Sequence, residues 1–334
     1  MRTKLLTVLA ISLILPASAF PQRPRRVVTN EMRTENAPAP VLWRNPQGIA
    51  NRNVFYGSGG KAGQPAGRFR FIEEDKGGTS PKFIVEDGRG VRWKVKLGQE
   101  AQSETAAARL LWAAGYFTDD VYYLKAARIV GLTRLSRGQE YVSMDGTIRG
   151  ARFERREKSI KKVGDWSWYE NPFVGTREFD GLRIMMAMIN NWDLKQANNG
   201  IYNVGGRELR YVVTDLGATL GKTGGNWTRS KNDLKDFIRS NFIEEVEPNT
   251  VDFVMNTRPP LVYAVAVSYY SKRSRMENVT EDIPLANARW MGRLLSGLSL
   301  EQIRDAFRAA GYTPDETNTY ARKIRERIQQ LNRL

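Results

Sequence analysis

The 334-residue sequence predicts an α+β fold, with strands in its N-terminal part and helices in its C-terminal part. Residues 68–98 contain runs of alternating apolar and polar residues bounded by Gly and Asp turns, a pattern typical of strands. From about Thr176 onward, apolar residues recur every three or four positions, which indicates helices. The sequence has no internal repeat, and it is long enough to bury a substantial core in one large domain or two lobes.

The first residues predict a secretory signal peptide over residues 1–19. Arg2 and Lys4 precede an apolar stretch that is too short to span a bilayer comfortably, and Ala17-Ser18-Ala19 supplies the small residues of a cleavage site. The alternative is an uncleaved N-terminal anchor. Cleavage would remove two basic residues and no acidic ones, which lowers the net charge from +16 to +14. We therefore expect an exported protein, periplasmic or extracellular, whose mature chain has no transmembrane segment.

The segment after the signal peptide, residues 20–53, is rich in Pro, Arg and Asn and is typical of an arm or linker. Strand patterns follow at residues 68–74, 82–87 and 91–98. The turn Asp87-Gly88-Arg89-Gly90 predicts that the last two strands form a hairpin. These strands make the N-terminal part rich in sheet.

The third predicted strand carries two lysines on one face. Trp93, Val95 and Leu97 alternate with Lys94 and Lys96, so the apolar residues and the lysines lie on opposite faces. The lysine face is either solvated or available to a ligand.

Helical patterns begin at residues 103–114, where Gly115 is expected to end the helix. A second helix is predicted from Thr176 to about Asn190, and one strand, residues 209–214, interrupts the helical part. Capping boxes are expected to begin the last two helices, formed by Ser299 with Gln302 and by Thr313 with Glu316.

The sequence contains no Cys and no His. This excludes disulfides, thiol nucleophiles, Ser-His-Asp triads and HExxH zinc sites. Any catalysis must use carboxylates, amides, Lys, Arg or hydroxyls, with a hard cation where a metal is needed. The 52 Lys and Arg outnumber the 36 Asp and Glu, which favours phosphate-bearing ligands or anionic surfaces. They are spread along the chain without a basic block, so the sequence shows no specific nucleic-acid motif.

The most informative segment is D-L-K-x-x-N, from Asp193 through Lys195 to Asn198. Asp215-Leu216-Gly217 begins seventeen residues later, at the end of a predicted strand. Two carboxylates and an amide in this order can hold a divalent cation and leave one carboxylate to orient a hydroxyl. The order matches the D-x-x-x-x-N catalytic loop and the D-F-G metal motif of protein kinases.

On these residues the sequence resembles the protein-kinase-like superfamily, and within it the HipA-type and phosphatidylinositol-kinase-like branch. The resemblance implies a two-lobed fold with a sheet-rich N-lobe at residues 54–157 and a helical C-lobe at residues 158–334. Lys96 resembles the strand lysine that pairs with nucleotide phosphates, and Glu104 resembles its partner on the following helix. The segment G-G-T-S-P-K-F is similar to the phosphate loop of HipA-type kinases and supplies Gly78, Thr79, Ser80 and Lys82.

The resemblance also implies a function, the transfer of phosphate from ATP or another nucleotide to a hydroxyl acceptor. Asp193 would orient the hydroxyl, and Lys195 would offset charge at the transferred group. Asn198 and Asp215 would hold Mg²⁺ or Mn²⁺. The sequence departs from the kinase pattern where Asn191-Trp192-Asp193 replaces His-Arg-Asp, and no G-x-G-x-x-G-x-V precedes the lysine strand.

Each of these residues also has an ordinary structural interpretation. Asp193, Asn198 and Asp215 can cap helix ends and turns. Glu104 can stabilise a helix N-terminus. Lysines can simply be solvated, and Lys94 can take the role of Lys96.

A second function follows from the missing His, the basic charge and the predicted export. The protein can be a secreted, non-catalytic, pseudokinase-like module that binds an anionic envelope polymer or a partner protein. The two functions differ in a geometric expectation. Phosphotransfer requires the strand lysine, the helix glutamate and the Asp and Asn side chains to converge on one cleft.

Overall fold

A computed structural model of the protein describes residues 37–157, 159–224, 229–255, 276 and 278–334. These residues form a barrel of strands followed by a larger, mainly helical region with two small sheets. The predicted α+β class, sheet-rich first and helix-rich second, is confirmed. The predicted signal peptide and residues 20–36 of the predicted arm lie outside the described residues. In the part of the chain that is described, no helix is long and apolar enough to cross a bilayer.

The strands, in chain order, are β1 (Ala39–Val41), β2 (Phe69–Asp75), β3 (Lys82–Glu86), β4 (Arg92–Leu97), β5 (Val121–Val130), β6 (Thr147–Arg156), β7 (Ile160–Gly164), β8 (Asn199–Val204), β9 (Glu208–Val213), β10 (Ile243–Val246), β11 (Thr250–Phe253) and β12 (Ile283–Pro284). The helices, numbered over the described residues, are α1 (Glu100–Ala113), α2 (Arg177–Met188), α3 (Leu234–Arg239), α4 (Leu285–Ser296), α5 (Leu300–Ala309) and α6 (Pro314–Arg333).

Five strands close into the N-terminal barrel in the order β2-β3-β4-β6-β5. The predicted hairpin is present as the antiparallel β3–β4 pair. A short parallel pairing of β2 with β5 closes the barrel. Trp93, Val95 and Leu97 are almost fully buried inside it. Because side chains alternate along a strand, Lys94 and Lys96 lie on the outer face, as the sequence predicts.

Helix α1 lies between the barrel and α5, and it is buried on nearly every side. It ends as predicted, with Gly115 in the left-handed conformation at φ +99°. It begins three residues earlier than predicted, at Glu100. Glu104 therefore lies one turn inside the helix, and Glu100 takes the first-turn position where an acidic residue stabilises a helix N-terminus.

The C-terminal region contains more strands than predicted. The strand expected at residues 209–214 is β9, but it belongs to a four-stranded sheet in the order β1-β9-β8-β7, and β10, β11 and β12 form a second sheet. The expectation of a single strand was wrong because these strands are short and do not alternate cleanly. The sequence of β10, for example, is I-E-E-V.

The described end of the predicted arm is folded against this region. Residues Ala39–Val41 pair in parallel with β9, and Leu42 is buried in the main core. This core also contains α1 and the helices of the C-terminal region, whereas the barrel interior forms a second core. Both predicted capping boxes are present, at the starts of α5 and α6.

Candidate active site

A cleft of about 760 Å³ lies between the barrel and the β8–β9 hairpin. The outer faces of β3, β4 and β6 form one wall, and β8, β9 and the residues that flank them form the other. Ten of the lining residues are Lys or Arg and six are Asp or Glu. The cleft is therefore highly polar and carries an excess of positive charge.

Lys96 lies at the centre of the ionic contacts in this cleft. Its ammonium nitrogen is 2.9 Å from Glu104 Oε2, 2.7 Å from Glu100 Oε2 and 3.5 Å from Asp215 Oδ1. Burial alone would lower the pKa of Lys96, but the carboxylates of Glu104, Asp215 and Glu100 outweigh burial and raise it. Lys96 thus stays charged, and it contacts three carboxylates.

Lys94 makes a different contact, although it shares the outer face of β4. Its ammonium nitrogen is 3.1 Å from Glu154 Oε1. Of the two lysines, only Lys96 contacts both the helix glutamate and Asp215.

The three carboxylates around Lys96 offer oxygens that lie within 4.8 Å of one another, a spacing that can hold a metal ion. The ammonium group of Lys96 already lies within contact distance of all three. Because Lys96 contacts both Glu100 and Glu104, and Lys231 and Arg152 add a further cation to each, we assign no metal to these two glutamates.

Arg152 and Glu154 extend this ionic cluster, and the sequence reasoning missed both. Arg152 lies opposite Lys96 in the β4–β6 ladder. Its guanidinium group donates hydrogen bonds to Glu104 Oε1 at 2.6 Å and to Glu154 Oε2 at 2.8 Å. Burial raises the pKa of Glu104, while Arg152 and Lys96 oppose that rise. Burial would also raise the pKa of Glu154, but Arg152, Lys94 and Arg156 lower it to about 2. Alternation along β6 could have placed both residues on the cleft face, but no motif marks them.

Glu100 is a further residue that the sequence reasoning missed. Besides Lys96, it accepts a hydrogen bond from Ser80 Oγ at 2.8 Å and pairs with Lys231. Although burial opposes it, Lys96 and Lys231 lower the pKa of Glu100 to about 2. A Cβ atom at Gly217 would lie 2.7 Å from Glu100 Oε2, so a larger residue in the D-L-G turn would displace the Glu100 side chain.

The predicted phosphate loop is only partly at the cleft. Lys82 lines it and lies opposite Lys96 in the β3–β4 ladder, and burial lowers the pKa of Lys82. Ser80 reaches the site through Glu100. Gly78, in the left-handed conformation at φ +61°, and Thr79 are exposed on the turn between β2 and β3 and do not line the cleft.

The opposite wall carries the predicted Asp–Asn loop, which follows α2. Asp193 accepts a hydrogen bond from Asn198 Nδ2 at 3.1 Å and pairs with Lys195 at 2.8 Å. The carbonyl oxygen of Asn198 accepts hydrogen bonds from the backbone N–H groups of Thr214 at 2.8 Å and Asp215 at 3.4 Å. This pairing brings the loop and the strand-end Asp together. Asn198 and Asp215 line the cleft, whereas Asp193 and Lys195 lie on the adjoining loop.

Asn191 occupies the position at which the kinase pattern has His. It is fully buried, and its Oδ1 accepts a hydrogen bond from the backbone N–H of Asp193 at 3.2 Å. An amide at this position therefore braces the loop without an imidazole.

Asn198 and Asp215 fit a hard divalent cation. The Oδ1 atom of Asn198 receives no hydrogen bond from any residue that the structure describes, because its amide nitrogen makes the contacts to Asp193. The Asp215 side chain is 44% exposed. Carboxylate and amide oxygens are the ligands that Mg²⁺ and Mn²⁺ prefer.

A strand lysine paired with a helix glutamate on one wall faces an Asp–Asn loop and a strand-end Asp on the other. This combination of lobes and side chains is that of the kinase-like fold.

No protein-family model matches the chain, and no curated protein matches it in sequence. Among solved structures, the chain is similar to the Helicobacter pylori proinflammatory kinase CtkA, with 10% identity, a TM-score of 0.45 and coverage of 80% of this chain and 98% of that one. It is also similar to the Golgi casein kinase, with 11% identity, a TM-score of 0.34 and coverage of 85% and 77%. A structure of the Golgi casein kinase with Mn/ADP bound gives 11% identity, a TM-score of 0.31 and coverage of 86% and 78%.

Proposed function

We propose that the protein is a kinase-like phosphotransferase that binds a nucleotide with a divalent cation and transfers phosphate to a hydroxyl acceptor. The observation that carries this proposal is the convergence of Lys96, Glu104 and Asp215 in one cleft, with Lys96 2.9 Å from Glu104 and 3.5 Å from Asp215. Glu104 is almost fully buried, so its side chain has a fixed position, and its ion pair with Lys96 holds the lysine in place.

Each residue has a role in this proposal. Lys96 pairs with the nucleotide phosphates, and Lys82 adds positive charge on the same wall. Asn198 and Asp215 hold Mg²⁺ or Mn²⁺, which supplies charge neutralisation at the phosphate oxygens when bound. Asp193 orients the acceptor hydroxyl, and Lys195 offsets charge at the transferred group. Positioning and charge stabilisation dominate this chemistry, so it does not require a His.

A thermal-shift panel of nucleotides with and without Mg²⁺ or Mn²⁺ tests the proposal. Ligand at about 100 times its Kd stabilises a protein by about 2.7 kcal/mol, which raises the Tm by several degrees. We expect this shift to require the cation and to disappear in Asp215→Ala. Asp305→Ala, which removes a carboxylate on α5 distant in sequence from the cleft residues, is the control and should keep it.

If no nucleotide shifts the Tm with either cation, the proposal is wrong. The second candidate, a non-catalytic basic module, is then favoured by the excess of Lys and Arg in the cleft. Binding of an anionic polymer that weakens with salt and survives Asp193→Ala would support it.

Export remains part of the proposal and raises the question of the nucleotide source, because a periplasm is not expected to contain much ATP. A nucleotide supplied from outside or a site of action at the cell surface would resolve this. N-terminal sequencing of exported protein would test cleavage after Ala19.

A further inference from the structure

Glu100, in the first turn of α1, is a carboxylate on which three separate segments of the chain converge. Its Oε2 atom lies 2.7 Å from Lys96 Nζ of β4 and accepts a hydrogen bond at 2.8 Å from Ser80 Oγ in the β2–β3 turn. Its Oε1 atom pairs with Lys231, which follows the D-L-G turn. The side chain is 13% exposed. Because cations and a hydroxyl hold both oxygens, the Glu100 side chain has one well-defined position.

The D-L-G turn also lies against the start of α1. A Cβ atom at Gly217 would lie 2.7 Å from Glu100 Oε2, and the carbonyl oxygen of Gly217 accepts a hydrogen bond at 3.0 Å from Oγ of the buried Ser103. Gly217 comes two residues after Asp215, whose side chain is 3.5 Å from Lys96. Glu100 therefore lies beside both the strand lysine and the turn that follows the proposed metal-holding carboxylate.

The segment that carries Lys231 is fixed to both walls of the cleft. Gln99 Nε2, directly before α1, donates a hydrogen bond to the carbonyl oxygen of Lys231 at 2.8 Å. Trp192 Nε1 donates to the carbonyl oxygen of Ser230 at 2.8 Å, and Trp192 directly precedes Asp193. Lys231 is thus held between the start of α1 and the loop that carries Asp193.

Glu104 and Glu100 hold Lys96 in different ways, although both contact its ammonium group. The other cation on Glu104 is Arg152 of β6, 2.6 Å away, so this contact stays between α1 and the barrel. The other cation on Glu100 is Lys231, which belongs to the C-terminal region. The Glu100 pair therefore fixes Lys96 relative to the wall that carries the proposed metal ligands.

We infer that Glu100 is a positioning residue of the phosphate site. Through its contacts with Lys96, Ser80 and Lys231, it holds the strand lysine and the β2–β3 turn in place against the D-L-G turn. This inference rests on the proposed function, since Lys96 is there the group that binds the nucleotide phosphates. Position matters in phosphoryl transfer, because a displacement of about 1 Å can cost about a hundredfold in rate. Glu100 lies one turn before Glu104, so it is a second glutamate beside the one that the kinase pattern supplies.

Glu100→Asp tests the inference with the charge unchanged. The side chain becomes shorter by one C–C bond, about 1.5 Å, so one carboxylate no longer reaches Lys96, Ser80 and Lys231 together. Isothermal titration of the full chain with ATP and Mg²⁺ should show an affinity lower by about five- to tenfold. Glu301→Asp makes the same change in the first turn of α5 and should alter the affinity by less than about twofold.

Lys231→Met tests the link to the C-terminal region. Loss of the ion pair with Glu100 should weaken ATP binding by about fivefold. Lys235→Met removes the same charge from an exposed position on α3 and should change the affinity by less than about twofold. This control accounts for the loss of one positive charge.

Ser80→Ala and Glu100→Asp form a double-mutant cycle in which neither substitution alters the charge. Both remove the same contact, so the double variant should lose no more affinity for ATP than Glu100→Asp alone. Additive losses would show that Ser80 and Glu100 act independently and would contradict the inference.

The outcomes separate this role from the proposed function and from folding. If Glu100→Asp binds ATP as tightly as the wild type, or if Lys231→Met and Lys235→Met behave alike, Glu100 does not position the site, and the nucleotide site stands. If the affinity falls only in proportion to the free energy of unfolding, measured with urea, the role of Glu100 is structural and the inference is wrong. If the wild-type protein binds no nucleotide, the proposed function fails and the inference fails with it. If Glu100→Asp does not fold, the comparison of the two lysine variants decides.

Discussion

Two carboxylates on neighbouring parts of the cleft show how strongly their partners set their acidity. Glu154 contacts Arg152, Lys94 and Arg156, and its pKa falls to about 2. Asp119 has no such contact among the described residues, and burial and Glu154 raise its pKa although Arg152 and Lys94 oppose the rise. The pKa of a carboxyl group falls when cations pair with it and rises when burial is uncompensated. The cations around Glu154 therefore favour its charged form, whereas burial and Glu154 disfavour the charged form of Asp119.

Asp119→Asn is expected to stabilise the free protein more at pH 8 than at pH 5. The pKa of this carboxyl is near 4 in the unfolded chain and about 7 in the folded one. Folding is therefore most favourable below pH 4 with respect to this group, and that advantage is lost as pH rises to 7. Asn has no charge to desolvate, so the variant does not lose this stability as pH rises. Urea unfolding at both pH values measures the change in the free energy of unfolding. An equal effect of the substitution at pH 5 and pH 8 would contradict the raised pKa of Asp119.

The helices and strands that turn residues or capping boxes predict are present in the structure. The β3–β4 hairpin follows from its turn residues, and α5 and α6 follow from their capping boxes. Strands that are short and lack a clear alternating pattern were missed. β8 lies between β7 and β9, and β10 is stabilised by pairing with β11. Their own sequences give no clear period, so only tertiary pairing defines them.

The N-cap of α6 offers a direct test at this scale. Thr313 accepts a hydrogen bond from the backbone N–H of Glu316, and Glu316 accepts one from the backbone N–H of Thr313. Thr313→Ala should lower the free energy of unfolding by about 1 kcal/mol. Thr319→Ala, inside the same helix, is the control and should be close to neutral because Ala favours helix. Equal losses from both, measured by urea unfolding, would show that the cap does not stabilise α6.

At the scale of the whole molecule, the site depends on segments far apart in the chain. The order and spacing of the kinase-like motifs predict that Lys96 and Asp215 lie in one cleft, and their side chains are 3.5 Å apart, whereas Asp193 lies on the adjoining loop. Arg152 and Glu100 could not be found in this way. Arg152 reaches Lys96 only through the β4–β6 register, and the role of Glu100 depends on α1 beginning earlier than its pattern indicates.

Arg327 is a second residue whose position only the folded molecule reveals. The pattern of α6 predicts apolar residues on its buried face, yet this arginine is completely buried there. It donates to the carbonyl oxygen of Met188 at 2.7 Å, to Asn190 Oδ1 at 2.9 Å and to Ser240 Oγ at 2.8 Å. Burial lowers the pKa of Arg327 to about 9, so it remains charged at neutral pH. It thereby joins α6 to the end of α2, directly before the loop that carries Asp193.

Arg327→Lys is expected to destabilise the protein by about 2–4 kcal/mol, although both residues are basic. Lysine cannot reproduce the planar fork that serves three acceptors, and it loses the stacking of the guanidinium 4.5 Å above the Phe237 ring. Arg322→Lys on the exposed face of the same helix should change stability by about 0.5 kcal/mol or less. Urea unfolding of the two variants measures the difference.

Arg327→Lys should weaken nucleotide binding less than it lowers stability. The reason is that Lys96 and Asp215 lie on elements other than α2 and α6, which Arg327 joins. A loss of binding with unchanged stability would instead place Arg327 in the site and contradict its structural role.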